Sequence, residues 1–201
     1  MLNRILVLLL WCIVVHQSHS QELKLSAGVG GSTSNQKYIY ASPIGPFTEQ
    51  GQYVLATNIS YPFIGNGFGL CVESFHRIYN EQGVSFNSSS IVAGLCWRKL
   101  LSFAEIETFC GVGNSWDKYK LNDVRTNSYS ISNNMVIYHG GATLYIPTSE
   151  FMDIAVGARI TKNNSSHAAA SFPINDKDLH VPSILYSGMI GLSFNLFVRD
   201  S

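Results

Sequence analysis

Charge is what this sequence has least of. Asp, Glu, Lys and Arg together make up 13% of its 201 residues, about half of what a soluble domain carries. The few charges also cancel, 13 basic against 13 acidic. No basic face is available for a nucleic-acid partner. Beyond the N-terminus no apolar run approaches the 18 or more residues that mark a membrane-spanning helix. The four cysteines follow no zinc-ligand spacing, so neither a metal nor another cofactor is expected. No catalytic motif of high specificity occurs. A chain too poor in charge for a water-facing surface, yet without a spanning helix, is best accommodated by alternating strands with lipid on one side.

The first 20 residues stand apart. Arg4 is their only charge, Ile5 to Val15 form an apolar core, and His16 to Ser20 make a polar exit with small Ser18 and Ser20. That is the layout of a secretory signal, with cleavage expected before Gln21. The core is too short to span a bilayer, and a retained anchor would need a longer one. Residues 1–20 are therefore read as a signal peptide and 21–201 as one domain. Without Arg4 the domain holds 12 basic and 13 acidic residues, a formal charge of −1.

Eight stretches of period-two character follow: Glu22–Gly31, Tyr53–Tyr61, Gly67–Tyr79, Ser88–Lys99, Phe103–Ser115, Met135–Pro147, Phe151–Thr161 and a last one from Ser183 to Val198. The gaps between them run long, short, long, short, long, short, long. Ser32–Gly51, Asn80–Asn87, Trp116–Asn134 and Lys162–Pro182 read as polar loops. Pro62–Asn66, Leu100–Ser102 and Thr148–Glu150 read as tight turns. The fold expected is all-β: an eight-stranded antiparallel up-and-down transmembrane barrel with short periplasmic turns and longer extracellular loops. Strands of roughly 9–13 residues match a tilted spanning strand. The alternative, a secreted β-sandwich, has strands of about 5–6 residues.

One face of each strand is apolar. Ile91, Ala93, Leu95 and Trp97, then Ala104, Ile106, Cys110 and Val112, then Ile184, Tyr186, Ile190, Leu192, Phe194 and Leu196 are assigned outward. The opposite faces place Lys24, Arg77, Arg98 and Arg159 in the lumen with Glu73, Glu105, Glu107 and Asp153. A lone charge there would be costly, so mutual pairing is expected. An eight-stranded barrel is just wide enough for its interior side chains to fill it, which implies a plug of ion pairs and no open pore. Arg98 and Glu105 flank one tight turn and are expected within a diagonal step of each other. Cys71 and Cys96 face inward on consecutive strands. A hairpin centred on Asn80–Asn87 would set them opposite each other, as a close thiol pair that is either free or oxidised. Trp97 and Tyr61 near the short turns, and Tyr79, Trp116, Tyr138 and Tyr186 near the long loops, suggest two aromatic girdles.

In this pattern the chain resembles the small outer-membrane barrels of the OmpA/OmpX and opacity type. The likeness spans Glu22 to Val198. It rests on Leu25-Ser26-Ala27-Gly28-Val29-Gly30-Gly31 at the opening and Gly188-Met189-Ile190-Gly191-Leu192-Ser193-Phe194 at the close. Members of that family end on an aromatic residue, whereas here Phe197 is followed by Val198, Arg199, Asp200 and Ser201. The resemblance implies a bacterial outer-membrane protein, a monomer embedded among outer-membrane lipid and lipopolysaccharide, and loops free to meet an extracellular ligand. The leading reading is a structural or surface-interaction barrel. The alternatives are a narrow porin-like channel and a lipid A-modifying enzyme.

An enzyme is not expected. Deacylase chemistry needs a His–Ser pair with a carboxylate nearby. His139, the one histidine assigned to the lumen, is followed by Gly140, Gly141 and Ala142, and Ser74 precedes His76 in the reverse of the usual order. Asp176, Asp178 and His180 alternate in the last loop without the length or glycine of a calcium loop. Asn58, Asn87, Asn163 and Asn164 begin Asn-x-Ser tripeptides, but Asn58 lies within a strand. The glycines at 28, 30, 31, 111 and 113 precede no helix and form no phosphate loop; they suit close packing in a curved sheet.

Overall fold

The computed structural model describes residues 23–34, 52–63, 67–81, 84–121, 129–164 and 184–196. Eight strands run in chain order: β1 (Lys24–Ser34), β2 (Gln52–Pro62), β3 (Phe68–Glu81), β4 (Val84–Leu100), β5 (Glu105–Leu121), β6 (Tyr129–Pro147), β7 (Met152–Asn163) and β8 (Ile184–Asn195). Each pairs antiparallel with the next, and β1 pairs with β8, from Lys24↔Asn195 to Ser34↔Leu185. The sheet is a closed up-and-down barrel. The signal-like segment, Asp176, Asp178, His180 and Phe197 lie outside the described residues. Among the described residues no helix is long and apolar enough to cross a membrane.

The period-two sequence becomes an inside-out distribution of polarity. On β2, Gln52, Val54, Ala56, Asn58 and Ser60 are buried, while Tyr53, Leu55 and Ile59 are exposed. The same alternation brings Leu70, Val72, Leu95, Val112, Val156, Ile160, Ile190 and Leu192 to the outer wall. An apolar surface continuous around a barrel far exceeds the few hundred Å² that a water-soluble monomer exposes. The closed ladder meanwhile leaves no strand edge at the level of the apolar belt, the condition for a sheet to sit in hydrocarbon. Phe103, Phe151 and Phe194 are exposed at the short-turn end, and Tyr53, Trp116, Tyr138 and Tyr186 toward the other.

The short turns are pinned by backbone bonds. Leu101 N–H donates to Ala104 O at 2.7 Å, and Thr148 and Ser149 N–H both donate to Met152 O. Gly67 has φ +90°, and a Cβ there would collide with the Arg98 carbonyl; glycine lets its own carbonyl accept the Arg98 N–H at 3.0 Å. Ala104, expected on the outer face, belongs to the turn and is 1% exposed.

Two of the expected loops are wrong in extent. Asn80–Asn87 is mostly strand: β3 continues to Glu81, β4 begins at Val84, and those two residues pair. Trp116–Asn134 is likewise strand as far as Leu121 and again from Tyr129. Here β3, β4, β5 and β6 are 14, 17, 17 and 19 residues long against 11 or 12 for the others. They form a four-stranded sheet that extends beyond the described parts of β1, β2, β7 and β8. Beside it, β7 reaches up β6 only as far as Ile137↔Asn163.

Candidate functional site: the charged lumen

Lys24, Glu73, Arg77, Arg98, Glu107, Asp153 and Arg159 are all 6% exposed or less. The side chain of Glu105 is 17% exposed at the short-turn mouth. Three clusters hold these groups. At the mouth, Lys24 Nζ bridges Glu105 and Asp153, the latter at 2.7 Å, and lies 4.5 Å from the centre of the Tyr145 ring. Arg98 stands directly opposite Glu107 and donates to its Oε2 from both Nε and Nη2 at 3.1 Å. Its Nη2 also donates to Ser60 Oγ at 2.6 Å. Glu105, one diagonal step away, is 3.7 Å from Arg98 Nε. Tyr145 donates its hydroxyl to Glu107, which is 0% exposed and thereby doubly satisfied.

In the middle, Glu73 on β3 meets Arg159 on β7 across the lumen. Arg159 Nε donates to both carboxylate oxygens at 3.0 and 3.1 Å. The rest of the guanidinium donates to Ala142 O, Ala158 O and Thr143 Oγ1. Glycines clear the space it fills: a Cβ on Gly157 would stand 2.7 Å from Arg159 Nη1, and one on Gly141 2.8 Å from its Cδ. His139 Nε2 lies 3.1 Å from Glu73 Oε1 and its Nδ1 2.8 Å from Thr161 Oγ1. A carboxylate only accepts, so Nε2 carries a hydrogen. Phe75 stacks on the imidazole at 4.6 Å, and Asn58 Nδ2 donates to Glu73.

Toward the loop side, Arg77 donates to Ser88 at 2.9 Å, and Ser88, Ser115 and Asp117 continue the chain of contacts at 3.1 and 2.7 Å. Asp117, assigned to an exposed loop by the sequence, is 1% exposed inside the barrel. Asp117 joins Glu73, Glu105, Glu107 and Asp153 as an inward carboxylate. An apolar layer also packs inside the barrel, formed by Val54, Ala56, Phe75, Val92, Met135 and Ile137. These share the inward face of their strands with the polar residues, and face parity alone could have found them.

The thiols are close but not opposite. Cys71 pairs with Gly94 and Cys96 with Gly69, because the turn is centred one residue earlier than Asn80–Asn87 suggests. Both are free and buried, they cluster with Phe109, and Cys96 donates its thiol hydrogen to Leu70 O at 3.5 Å. Among the described residues no group of three or more His, Cys, Asp or Glu is placed to hold a metal ion.

Buried ion pairs and apolar side chains thus occupy successive levels of the lumen, in a wall of eight strands with an apolar exterior. The chain has the fold of the small outer-membrane barrels. Ail, the attachment invasion locus protein of Yersinia pestis, is 14% identical over 88% of this chain and 99% of its own, with a TM-score of 0.54. Neisserial surface protein A is 11% identical over 88% and 97%, at 0.52. A major outer membrane protein of Thermus thermophilus is 11% identical over 86% and 98%, at 0.59. Comparison with protein-family models matched none, and no curated protein matched the sequence.

Proposed function

We propose that this protein is a bacterial outer-membrane barrel that works as a surface-interaction module, its lumen sealed and its raised sheet presented outside the cell. The observation that carries this reading is the unequal height of the described strands. Above Ile137↔Asn163, the β6 segment Tyr129–Asn134 pairs with β5 and, among the described residues, with no other strand. On the far side β3 runs past Tyr53↔Ile78, its last described pair with β2. The backbone donors and acceptors along such an edge are a template onto which an extended segment of another protein can add. A rigid barrel below fixes their position.

The sealed lumen argues against the porin-like reading. Ion pairs block the mouth and middle, and the apolar layer offers an ion nothing to replace its water. No catalysis is part of this reading, because the buried charges are committed to one another. Export by a cleaved signal peptide, orientation with the short turns in the periplasm, a monomeric state and contact with lipopolysaccharide belong to the same proposal.

The test uses intact cells. A short epitope inserted between Leu121 and Tyr129 is expected to be stained from outside. Trimming the β5–β6 hairpin above Asn114 and Val136 is expected to leave a heat-modifiable barrel on unboiled gels while abolishing adhesion of the displaying cells to protein-coated surfaces. Adhesion equal to that of the full-length barrel, or an epitope reached only after the cells are opened, would refute the reading.

A further inference from the structure

The outer wall carries a feature that a plain lipid-facing surface does not need. Side chains on a sheet line up in lateral rows across the strands. One outward row runs Leu192, Ala27, Thr57, Ser74 through successive pairings from β8 to β3. From Ala27 onward it is made of small side chains. The row above it, Ile190, Val29, Leu55, His76, and the row below it, Phe194, Leu25, Ile59, Val72, are mostly large. The small row is therefore the floor of a trough. A groove of about 520 Å³ lies there, its lining including Ala27, Thr57, Ser74, His76, Leu192 and Phe194.

The trough has a direction. Leu192 and Phe194 lie near the short-turn end of β8, while Ser74 and His76 lie well up β3 toward the loop side. Its lower end is apolar. Its upper end is polar: His76 pairs with Ser89 across β3 and β4, Nδ1 to Oγ at 2.8 Å, and both are outward. Beyond Ser89 the same row reaches Trp116, exposed on β5. The outer wall is also one-sided in charge. Glu73, Glu105, Glu107, Asp117 and Asp153 point inward, whereas Lys99 at the short-turn end and Lys118 and Lys162 at the loop end are exposed outward.

We infer that this trough seats one acyl chain of an anionic lipid in the loop-side leaflet, with its ester group at the His76–Ser89 pair. The polarity matches such a lipid end for end: hydrocarbon low in the membrane, ester-level hydrogen bonding above it, and Lys118 on β5 one outward row higher, at the level of the headgroup. The pair binds and does not hydrolyse. No described carboxylate on the outer wall could orient the imidazole, and the strand amides nearby are spent in the ladder, leaving no donors for an oxyanion. This inference rests on the membrane location above but not on the adhesive role.

The experiment is native mass spectrometry of the full barrel, reconstituted in phosphatidylglycerol bilayers and then exchanged into detergent. The wild type is expected to retain one intact lipid. Ala27→Leu with Thr57→Leu fills the floor without touching the lumen, and His76→Phe removes the polar end. Each is expected to lower occupancy at least fivefold while the unboiled gel shift stays unchanged. Retention of no lipid by the wild type, equal retention by the filled variant, or a bound lipid one acyl chain lighter would overturn the inference. Failure of the protein to enter bilayers at all would instead overturn the membrane reading.

Discussion

Removing the Glu73 carboxylate should destabilise the barrel more than any exposed substitution. Glu73 is 1% exposed and accepts hydrogen bonds from Arg159, His139 and Asn58. In Glu73→Ala the Arg159 guanidinium keeps the Ala142 and Ala158 carbonyls and the Thr143 hydroxyl. Those are neutral acceptors, so a buried positive charge is left without its counter-charge. Breaking one partner of such a pair costs about 3–5 kcal/mol. Arg159→Met leaves the converse defect and should cost a similar amount. The double variant removes both charges, and Met refills much of the vacated space, so its loss should fall short of the sum by about 1–3 kcal/mol, the coupling expected of groups in contact. Urea unfolding in lipid vesicles, followed by tryptophan emission and by the unboiled gel shift, measures all three. If the two losses simply add, Glu73 and Arg159 do not meet across the lumen, and the closure that places β3 opposite β7 is wrong.

At the short-turn mouth, Arg98→Ala should couple more strongly to Glu107→Ala than to Glu105→Ala, since Glu107 is directly opposite at 3.1 Å and Glu105 diagonal at 3.7 Å; equal coupling in a double-mutant cycle would contradict the register. Gly157→Val should destabilise by about 1–3 kcal/mol through overpacking against Arg159, and the loss in Gly157→Val with Arg159→Met should fall short of the sum of the two single losses. An apolar maleimide should label Cys110 on the folded barrel and reach Cys71 and Cys96 only after unfolding, as peptide mapping would show. Cells with and without the protein should yield lipid A of identical acyl mass, and a lost or added chain would demand catalysis.

The facing of the strands was legible because lipid outside and a packed lumen inside impose opposite demands on alternate residues. Lys24, Glu73 and Arg159 could be placed inward from their neighbours alone. The tops of β3 to β6 were not legible, for a physical reason. Above the apolar belt the outward positions, Asn87, Ser89, Asn114, Lys118 and Asn134, become polar like the inward ones, and the alternation that betrays a strand fades into what reads as loop. Asp117 was misplaced for that reason. The thiol register failed differently: a hairpin's centre depends on turn length, and one residue there moves the partner of Cys71 by two positions, from Cys96 to Gly94. Contacts such as Lys24 to Asp153 and Glu73 to Arg159 join strands far apart in order. They follow from barrel closure and tilt, which no single hairpin encodes.

Single-channel recording in planar bilayers tests the proposed sealing of the lumen most directly. The purified, heat-modifiable barrel should insert and stay silent across the accessible voltage range, because the Lys24, Arg98 and Glu73–Arg159 clusters and the apolar layer close it at successive levels. Stable, reproducible steps whose size or ion selectivity changes in Glu73→Ala or Arg98→Ala would show ions passing these groups, and would replace the interaction barrel with a channel.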